Sequence, residues 1–291
     1  MAIHLKPEAK FWRLLIHDRL SAACNMAVDE AIMKSHVHSG TAPTLRLYRW
    51  NPPAVSIGYF QNLDQEVDTD ACRQLGLDIV RRPTGGRAVL HHKEITYSVV
   101  ISSDLLPGSV LETYRFLAGG LLAGLQGMGL DVRLTGRGTR ADRGSAACFD
   151  SPSWYELVSR GRKLVGSAQT RRGGVLLQHG SVLLDLDLDS LSRVFAFPDE
   201  KTRSRFCAVM ERKATAVNDE LAAAGKPRAA PEDLIDAIVK GFEKGLNITL
   251  EPGRLSSAEL NLAAELREQK YSSQDWNRYK RPETRNKKPV W

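Results

Sequence analysis

Two dipeptides constrain this chain more than any other feature. Arg160-Gly161 and Gly173-Gly174 separate three β-prone runs, WYELVS (154–159), KLVGSAQTR (163–171) and GVLLQHGSVLLDLDL (174–188). Such runs joined by two-residue, glycine-bearing turns fold as antiparallel hairpins, because those turns match the twist of the strands they connect. The expectation is an antiparallel meander over this stretch. Further extended runs precede it: LRLYRW (45–50), which stops at Pro52-Pro53, AVSIGYF (54–60), LDIVRR (77–82), ITYSVVI (95–101) and DVRLT (131–135), the last as an edge strand.

Helical periodicity takes over elsewhere. Across 19–38, Leu20, Cys24, Ala27, Val28, Ala31 and Ile32 share one face, and Ser21 is placed to cap it. A short helix is expected at 64–75. A long one is expected at about 109–128, where Gly119, Gly120, Gly124 and Gly127 let a neighbouring backbone come close. After residue 189 the pattern is helical. Residues 231–247 open on Pro231 and carry Leu234, Ile235, Ile238, Val239 and Phe242, and 256–271 open on Ser256 or Ser257. Strands first, with helices interspersed and then clustered, indicate an α+β fold, a mixed, largely antiparallel β-sheet flanked by helices, and not a doubly wound sheet. The expected division is a catalytic domain over 1–250, with a C-terminal helix and basic tail over 251–291 packed on or extending from it.

Composition excludes several classes. The chain has 291 residues, enough for a sizeable core. No run of 18 apolar residues offers a membrane span, and the start has no secretory pattern, so the cytoplasm is the expected compartment. The net charge is +7, but Tyr279–Trp291 alone holds Lys280, Arg281, Arg285, Lys287 and Lys288 against one Glu283. The body is only mildly basic. A solvated tail, or a surface that steers an acidic protein, fits better than nucleic-acid binding. Cys24, Cys72, Cys148 and Cys207 form no CxxC pair, which argues against a cysteine metal site, and in a reducing compartment they are free thiols.

Three segments carry candidate chemistry. In RRPTGGRAVLHHKEITYSVV (81–100), Gly85-Gly86 either makes a tight hairpin or exposes amide groups that cradle an anion or a carbonyl oxygen. A bare Gly-Gly is more often a hairpin, but Arg81, Arg82, Arg87 and His91-His92 weigh against that reading here. In GRKLVGSAQ (161–169), Lys163 is either an exposed strand end or a charge aimed into a pocket, and Gly166, Ser167 and Ala168 either leave room for a ligand or mark close packing. In SAACFDSPSWYEL (145–157), Cys148 ends a polar, arginine-bearing loop, where positive charge favours the reactive thiolate. Cys24 is expected in the core, and nothing beside Cys72 or Cys207 suggests chemistry.

Together these segments resemble the catalytic domain shared by biotin and lipoate protein ligases and lipoyl/octanoyl transferases. RRPTGGRAVLH is similar to that family's arginine-rich Gly-Gly signature, and GRKLVGSAQ with LQHGSVLLDLD to its lysine strand and following hairpin. NMAVDEAI (25–32), LRLYRWNPPAVSIGYFQ (45–61) and KYSSQDWN (270–277) extend the resemblance over about 20–280. TGGRAVLHHKEITYSV differs from the signature of ATP-using lipoate ligases. CFDSPSWYEL places a cysteine where the Gram-positive type of octanoyl-[acyl-carrier-protein]:protein N-octanoyltransferase carries its thioester.

The resemblance implies a role for each residue. Cys148 is the nucleophile and Lys163 lowers its pKa. Arg82, Thr84, Gly85, Gly86, His91, Gly166, Ser167, Ala168 and His179 bind substrate, with the place of His91 open to His92. The donor is octanoyl acyl carrier protein, and the acceptor is a lipoyl-domain protein such as glycine-cleavage H protein. No metal or other cofactor, no nucleic acid and no membrane is involved, and a monomer is expected. Three rivals remain: an ATP-dependent lipoate ligase, an amidotransferase between lipoyl domains, and a non-catalytic binding module.

Overall fold

The computed structural model describes Leu5 and residues 9–39, 41–106, 108–136 and 156–281. The first half contains β1 (Phe11–Leu20), α1 (Ala22–Ser39), β2 (Thr44–Trp50), β3 (Ala54–Ile57), α2 (Leu63–Glu66), α3 (Thr69–Gln74), β4 (Asp78–Arg81), β5 (Val89–His91), β6 (Glu94–Ser102), α4 (Val110–Gly127) and β7 (Val132–Leu134). The second half contains β8 (Leu157–Ser159), β9 (Arg162–Arg172), β10 (Val175–Leu183), α5 (Leu188–Val194), α6 (Glu200–Lys213), α7 (Val217–Ala223), α8 (Pro231–Leu246), β11 (Thr249–Pro252), α9 (Ser257–Leu266) and α10 (Gln274–Tyr279).

The meander forms as the turns require. Arg160 and Gly161 have φ of 50° and 75°, and Gly173 and Gly174 have 55° and 75°, so both turns keep two consecutive left-handed residues. The described strands make an eight-stranded sheet in the order β11-β1-β2-β6-β10-β9-β8-β7 and a smaller sheet, β4-β3-β5. The larger sheet is mixed, since β1 runs parallel to both β2 and β11 while β2, β6, β10, β9, β8 and β7 pair antiparallel. The α+β reading holds, and β7 is an edge strand as expected.

Period-two alternation gives this sheet two different faces. Leu45, Leu47, Tyr97, Val99 and Val182 turn toward α4 and α8 in one core cluster. Tyr48, Val100, Val175 and Leu177 turn the other way, toward α1 and α9. A third cluster joins β3 and β5 to α3, α5 and α6 through Val55, Ile57, Leu90, Phe195, Phe206 and Met210.

Several elements differ from the sequence reading. Helix 64–75 is two pieces, because Asp68 accepts from the amides of Asp70 and Ala71 and starts α3 afresh. The 54–60 strand stops at Ile57, where Gly58 meets the glycine loop. The helix from 256 stays α-helical to Leu266 and widens into a π-helical turn over Arg267–Tyr271. Cys24 is half-buried and not in the core: Arg267 reaches its sulfur from the C-terminal segment. Leu20 ends β1 and is not on the helix, which begins at Ala22 with the Cys24 amide on Ser21 Oγ at 3.3 Å. β1 and β11 were not anticipated.

Arg81 does not serve the glycine loop. Its buried guanidinium donates to the carbonyls of Gly58, Tyr59 and Gln61 and to those of Trp276 and Asn277. The Trp276 indole donates back to the Arg81 carbonyl at 2.9 Å. One buried arginine thus ties the C-terminal segment to the loop after β3. Among the described residues, no helix is long and apolar enough to cross a membrane.

The glycines of α4 do admit a neighbour, and it is α8. A Cβ on Gly241 would lie 2.3 Å from the Gly124 amide nitrogen and 2.4 Å from the Gly120 carbonyl oxygen. A Cβ on Gly127 would meet nothing within 4 Å. Gly241→Ala should therefore lower the unfolding free energy by about 1–3 kcal/mol through overpacking. Gly127→Ala should leave it unchanged or slightly higher. Urea unfolding of both variants checks this, and equal midpoints would refute the close crossing.

Candidate active site

On the face of the large sheet toward α1, cross-strand pairing lines up two rows. One runs Arg46, Ser98, His179, Ala168 across β2, β6, β10 and β9, and the next runs Tyr48, Thr96, Ser181, Gly166. Most of these groups are polar and buried. Buried polar atoms need partners, and two carboxylates supply them.

The first is Asp29, one helical turn beyond Asn25 on α1. Its Oδ1 accepts from Arg46 Nη1 at 2.7 Å and Ser98 Oγ at 2.8 Å, and its Oδ2 accepts from Tyr48 Oη at 2.9 Å. His179 Nδ1 stands 3.5 Å from the same Oδ2, and its Nε2 is 2.7 Å from Thr84 Oγ1. Burial would raise the Asp29 pKa, but Arg46 and the His179 hydrogen bond outweigh it and hold the carboxyl at about 2. Burial pushes His179 below the usual histidine range against the opposing pull of Asp29. The ring is neutral at pH 7, with one nitrogen toward Asp29 and the other toward Thr84.

The second is Glu94, at the start of β6. It accepts from Thr96 Oγ1 at 2.6 Å and Ser181 Oγ at 2.8 Å, and His91 Nδ1 lies 3.2 Å away. His91 Nε2 meets Ser56 Oγ at 2.8 Å, and its ring stacks on Trp50 with centroids 4.0 Å apart. The Trp50 indole donates to Thr96 Oγ1 at 2.7 Å.

Between these networks lies a pocket lined among others by Met26, Tyr48, Trp50, Val89, Gly166 and Gly180. The polar atoms around it are turned onto one another. What the rows, Met26 and Val89 present to the space is therefore largely methyl, methylene and ring surface.

The Gly-Gly segment is not a hairpin. β4 pairs parallel with β3 and β5 pairs antiparallel with the other edge of β3, so residues 82–88 cross from one side of β3 to the other. The loop folds around its own arginine. Arg82 donates to the carbonyls of Gly85 and Arg87 and to the Ser56 carbonyl and hydroxyl. Gly86 has φ of +91°, and its carbonyl approaches Gly58 so closely that a Cβ there would stand 1.9 Å away.

Lys163 owes its place to a β-bulge. Opposite β8, Leu157 pairs with Val165 and Val158 with Lys163, so β9 holds one extra residue, Leu164. Leu164 and Val165 both enter the core on the α4/α8 side, which returns Lys163 to the face carrying Gly166 and Ala168. Lys163 is buried, and its Nζ meets Glu156 Oε1 at 2.5 Å. Of the two readings of Lys163, the exposed strand end is therefore excluded.

Among the predicted residues, Arg82, His91, Gly166, Ser167, Ala168 and His179 line one pocket. Thr84 joins through His179, and Gly85 and Gly86 sit at the loop above. A Cβ on Gly86 would come within 3.8 Å of Ala168 Cβ, which puts the loop against the β9 end of the pocket. His91, not His92, faces the site; His92 is half-buried beside Asp187, 3.2 Å away. Cys148 lies outside the described residues. Of the other cysteines, Cys72 is buried and its thiol pushed up to about 11 by burial, with Asp68 adding to it, and Cys207 packs at the edge of the third cluster. Among the described residues, no three His, Cys, Asp or Glu side chains converge as metal ligands would.

Asp29, Arg46, Tyr48, Trp50, Ser56, Glu94 and Ser181 were not picked out from the sequence. The signal available was parity: Arg46, Tyr48 and Trp50 occupy alternate positions of a strand ending in tryptophan, and Asp29 interrupts an apolar helix.

The sequence pattern described as the lipoyl protein ligase A/B catalytic domain matches residues 21–243, and the chain belongs to this family. It is 50% identical over 273 residues to the octanoyltransferase LipM of Kyrpidia tusciae, covering 91% of this chain and 98% of that one. It is 45% identical over 278 residues to the octanoyltransferase LipM of Bacillus subtilis, covering 93% and 98%. Among solved structures it is similar to an archaeal bipartite lipoate protein ligase from Thermoplasma acidophilum, with 30% identity, a TM-score of 0.79 and coverage of 94% and 98%. It also matches a lipoate-protein ligase A bound with ATP, with 31% identity, a TM-score of 0.74 and coverage of 91% and 97%.

The Asp29 network makes stability depend on pH. His17 Nδ1 accepts from Arg46 Nε at 2.8 Å, which requires a neutral ring. Burial, helped by Arg46, lowers its pKa from 6.5 to about 4. A histidine pKa lowered by folding lends stability that is complete above the unfolded value and is lost as pH falls toward the folded one. The urea midpoint of the wild type should therefore fall between pH 6.5 and 4. His17→Asn, which keeps an acceptor without a charge, should show a shallower fall, and parallel profiles would exclude His17 as the cause.

Proposed function

We propose that this chain transfers an octanoyl group from acyl carrier protein to a lysine of a lipoyl domain through a thioester on Cys148. The pocket carries the reading. A buried cavity whose surrounding polar atoms bind one another suits an alkyl chain better than a polar or charged ligand. At the end formed by β9 stands Lys163, on the face that lines the cavity. The LipM relatives match over nearly their full length, and their name points to the same acyl group.

The chemistry follows in two exchanges. The Cys148 thiolate attacks the carbonyl of the octanoyl thioester; the carrier's thiolate leaves and takes up a proton. One thioester replaces another, so the step is nearly neutral in free energy and its barrier is what the protein lowers. A neutral lysine amine of the acceptor then attacks the same carbonyl; the Cys148 thiolate leaves and the amine gives up a proton. Amide formation from a thioester runs downhill, so no nucleotide is consumed. The Lys163 ammonium, held by Glu156, favours the thiolate in the resting site and as a leaving group. In this reading, amides of the Gly85-Gly86 loop stabilise the developing oxyanion. The mildly basic body suits acidic protein partners.

The likeness to an ATP-bound ligase makes acyl adenylation the rival reading. Incubation with octanoyl carrier protein should raise the intact mass of the wild type by one octanoyl group and leave Cys148→Ser unchanged. A labelled Cys148→Ser, or pyrophosphate release from ATP with free acid and no adduct, would overturn the thioester route.

Lys163 is tested separately. Lys163→Ala should slow alkylation of Cys148 at neutral pH far more than at pH 10, where the thiol ionises unaided. Equal rates for the two proteins at neutral pH would remove Lys163 from this role.

A further inference from the structure

We infer that the stacked rings of Trp50 and His91 are the end wall of the acyl pocket and set the chain length it accepts. The inference rests on the transfer reading above and adds what that reading leaves open.

The pocket crosses the sheet from β9 to β2. At β9, Ala168, on the pocket face, is half-buried; at β2, Tyr48 is fully buried and Trp50 is 7% exposed. The mouth therefore lies at the strand that bears Lys163, and the blind end lies against β2. Three interstrand gaps of about 4.8 Å span roughly 14 Å. Contact with the wall removes about 4 Å of this, leaving roughly 10 Å. An extended chain advances about 1.2 Å per bond. Eight carbons then need about 8 Å and fit, whereas twelve need about 13 Å and do not.

The wall is thin but tied on several sides. The rings stack at 4.0 Å with 19° between their planes. Trp50 is anchored to Thr96, and His91 to Ser56 and Glu94. Behind the rings is a second space, an open cleft lined by Arg19, Arg49, Lys93 and Arg228 among others. Trp50 and His91 line both the pocket and this cleft. A longer chain would have to unstack the rings, break their hydrogen bonds and push methylenes among charges. A shorter barrier on the same sheet would join the two spaces.

The test uses the full chain with an equimolar mixture of octanoyl and dodecanoyl carrier protein, and reads both the adduct and the acylated lipoyl-domain acceptor by intact mass. Wild type should favour octanoyl by roughly tenfold or more, the discrimination expected when extra methylenes have no room. Trp50→Ala should lower that ratio at least tenfold, and His91→Ala should lower it in the same direction. Circular dichroism reports whether each variant is folded. Equal use of both chains by the wild type overturns the wall, whatever the variants do. So does an unchanged ratio in either folded variant. A wild type that accepts neither chain defeats the transfer reading itself, whereas octanoyl transfer with an unchanged ratio in the variants defeats only the wall.

Discussion

The structure depends first on one buried carboxylate. Asp29 is fully buried, and it accepts hydrogen bonds from Arg46 and Tyr48 on β2 and Ser98 on β6, with His179 on β10 beside it. Taking a carboxylate and a guanidinium out of water costs several kcal/mol for each, and their attraction repays this only with good geometry and full hydrogen bonding. A hydrophobic substitute of equal volume would serve stability about as well. What the pair supplies is position. It allows α1 one rotation and one height over the sheet, which puts Met26 on the roof of the pocket. Through His179 it also holds Thr84 and the loop that follows.

A polar sheet face becomes an apolar pocket for a related reason. Hydroxyls, imidazoles and carboxylates that satisfy one another within the wall leave mostly carbon facing the space. Satisfied networks of this kind are rigid, because any movement leaves a buried polar atom without a partner. The cavity is thus pre-formed, and the order needed to hold an alkyl chain is supplied on folding and not on binding. At its open end the β9 bulge turns one lysine from the core side of the sheet to the pocket side, a shift of parity produced by a single extra residue.

Much of this was legible before any coordinates. The turns at Arg160-Gly161 and Gly173-Gly174 specified the meander, because two consecutive left-handed residues admit few other outcomes. The glycines of α4 announced a close neighbour, and the resemblance located six residues of the pocket lining. The failures have physical causes. Arg81 stood beside the glycine loop in sequence but points to six carbonyls, three from the loop after β3 and three that a distant segment brings in. Cys24 has helical spacing but lies where Arg267 arrives from the C-terminus. The Gly-Gly segment left two local readings open, and the hairpin is ruled out only because β4 and β5 take opposite edges of β3.

Local rules were therefore sufficient wherever the deciding contacts lie within a few residues. The sequence alone determined the turns, helices starting near residues 109 and 256, the alternation of the strands and the family to which the motifs point. Only the tertiary structure decided which neighbour each buried charge meets, which side of β9 Lys163 occupies, that His91 and not His92 faces the pocket, and where that pocket ends. Those outcomes depend on partners as far apart as Lys270 and Glu30, 240 residues distant, and no pattern along the chain encodes the register in which two such segments come together.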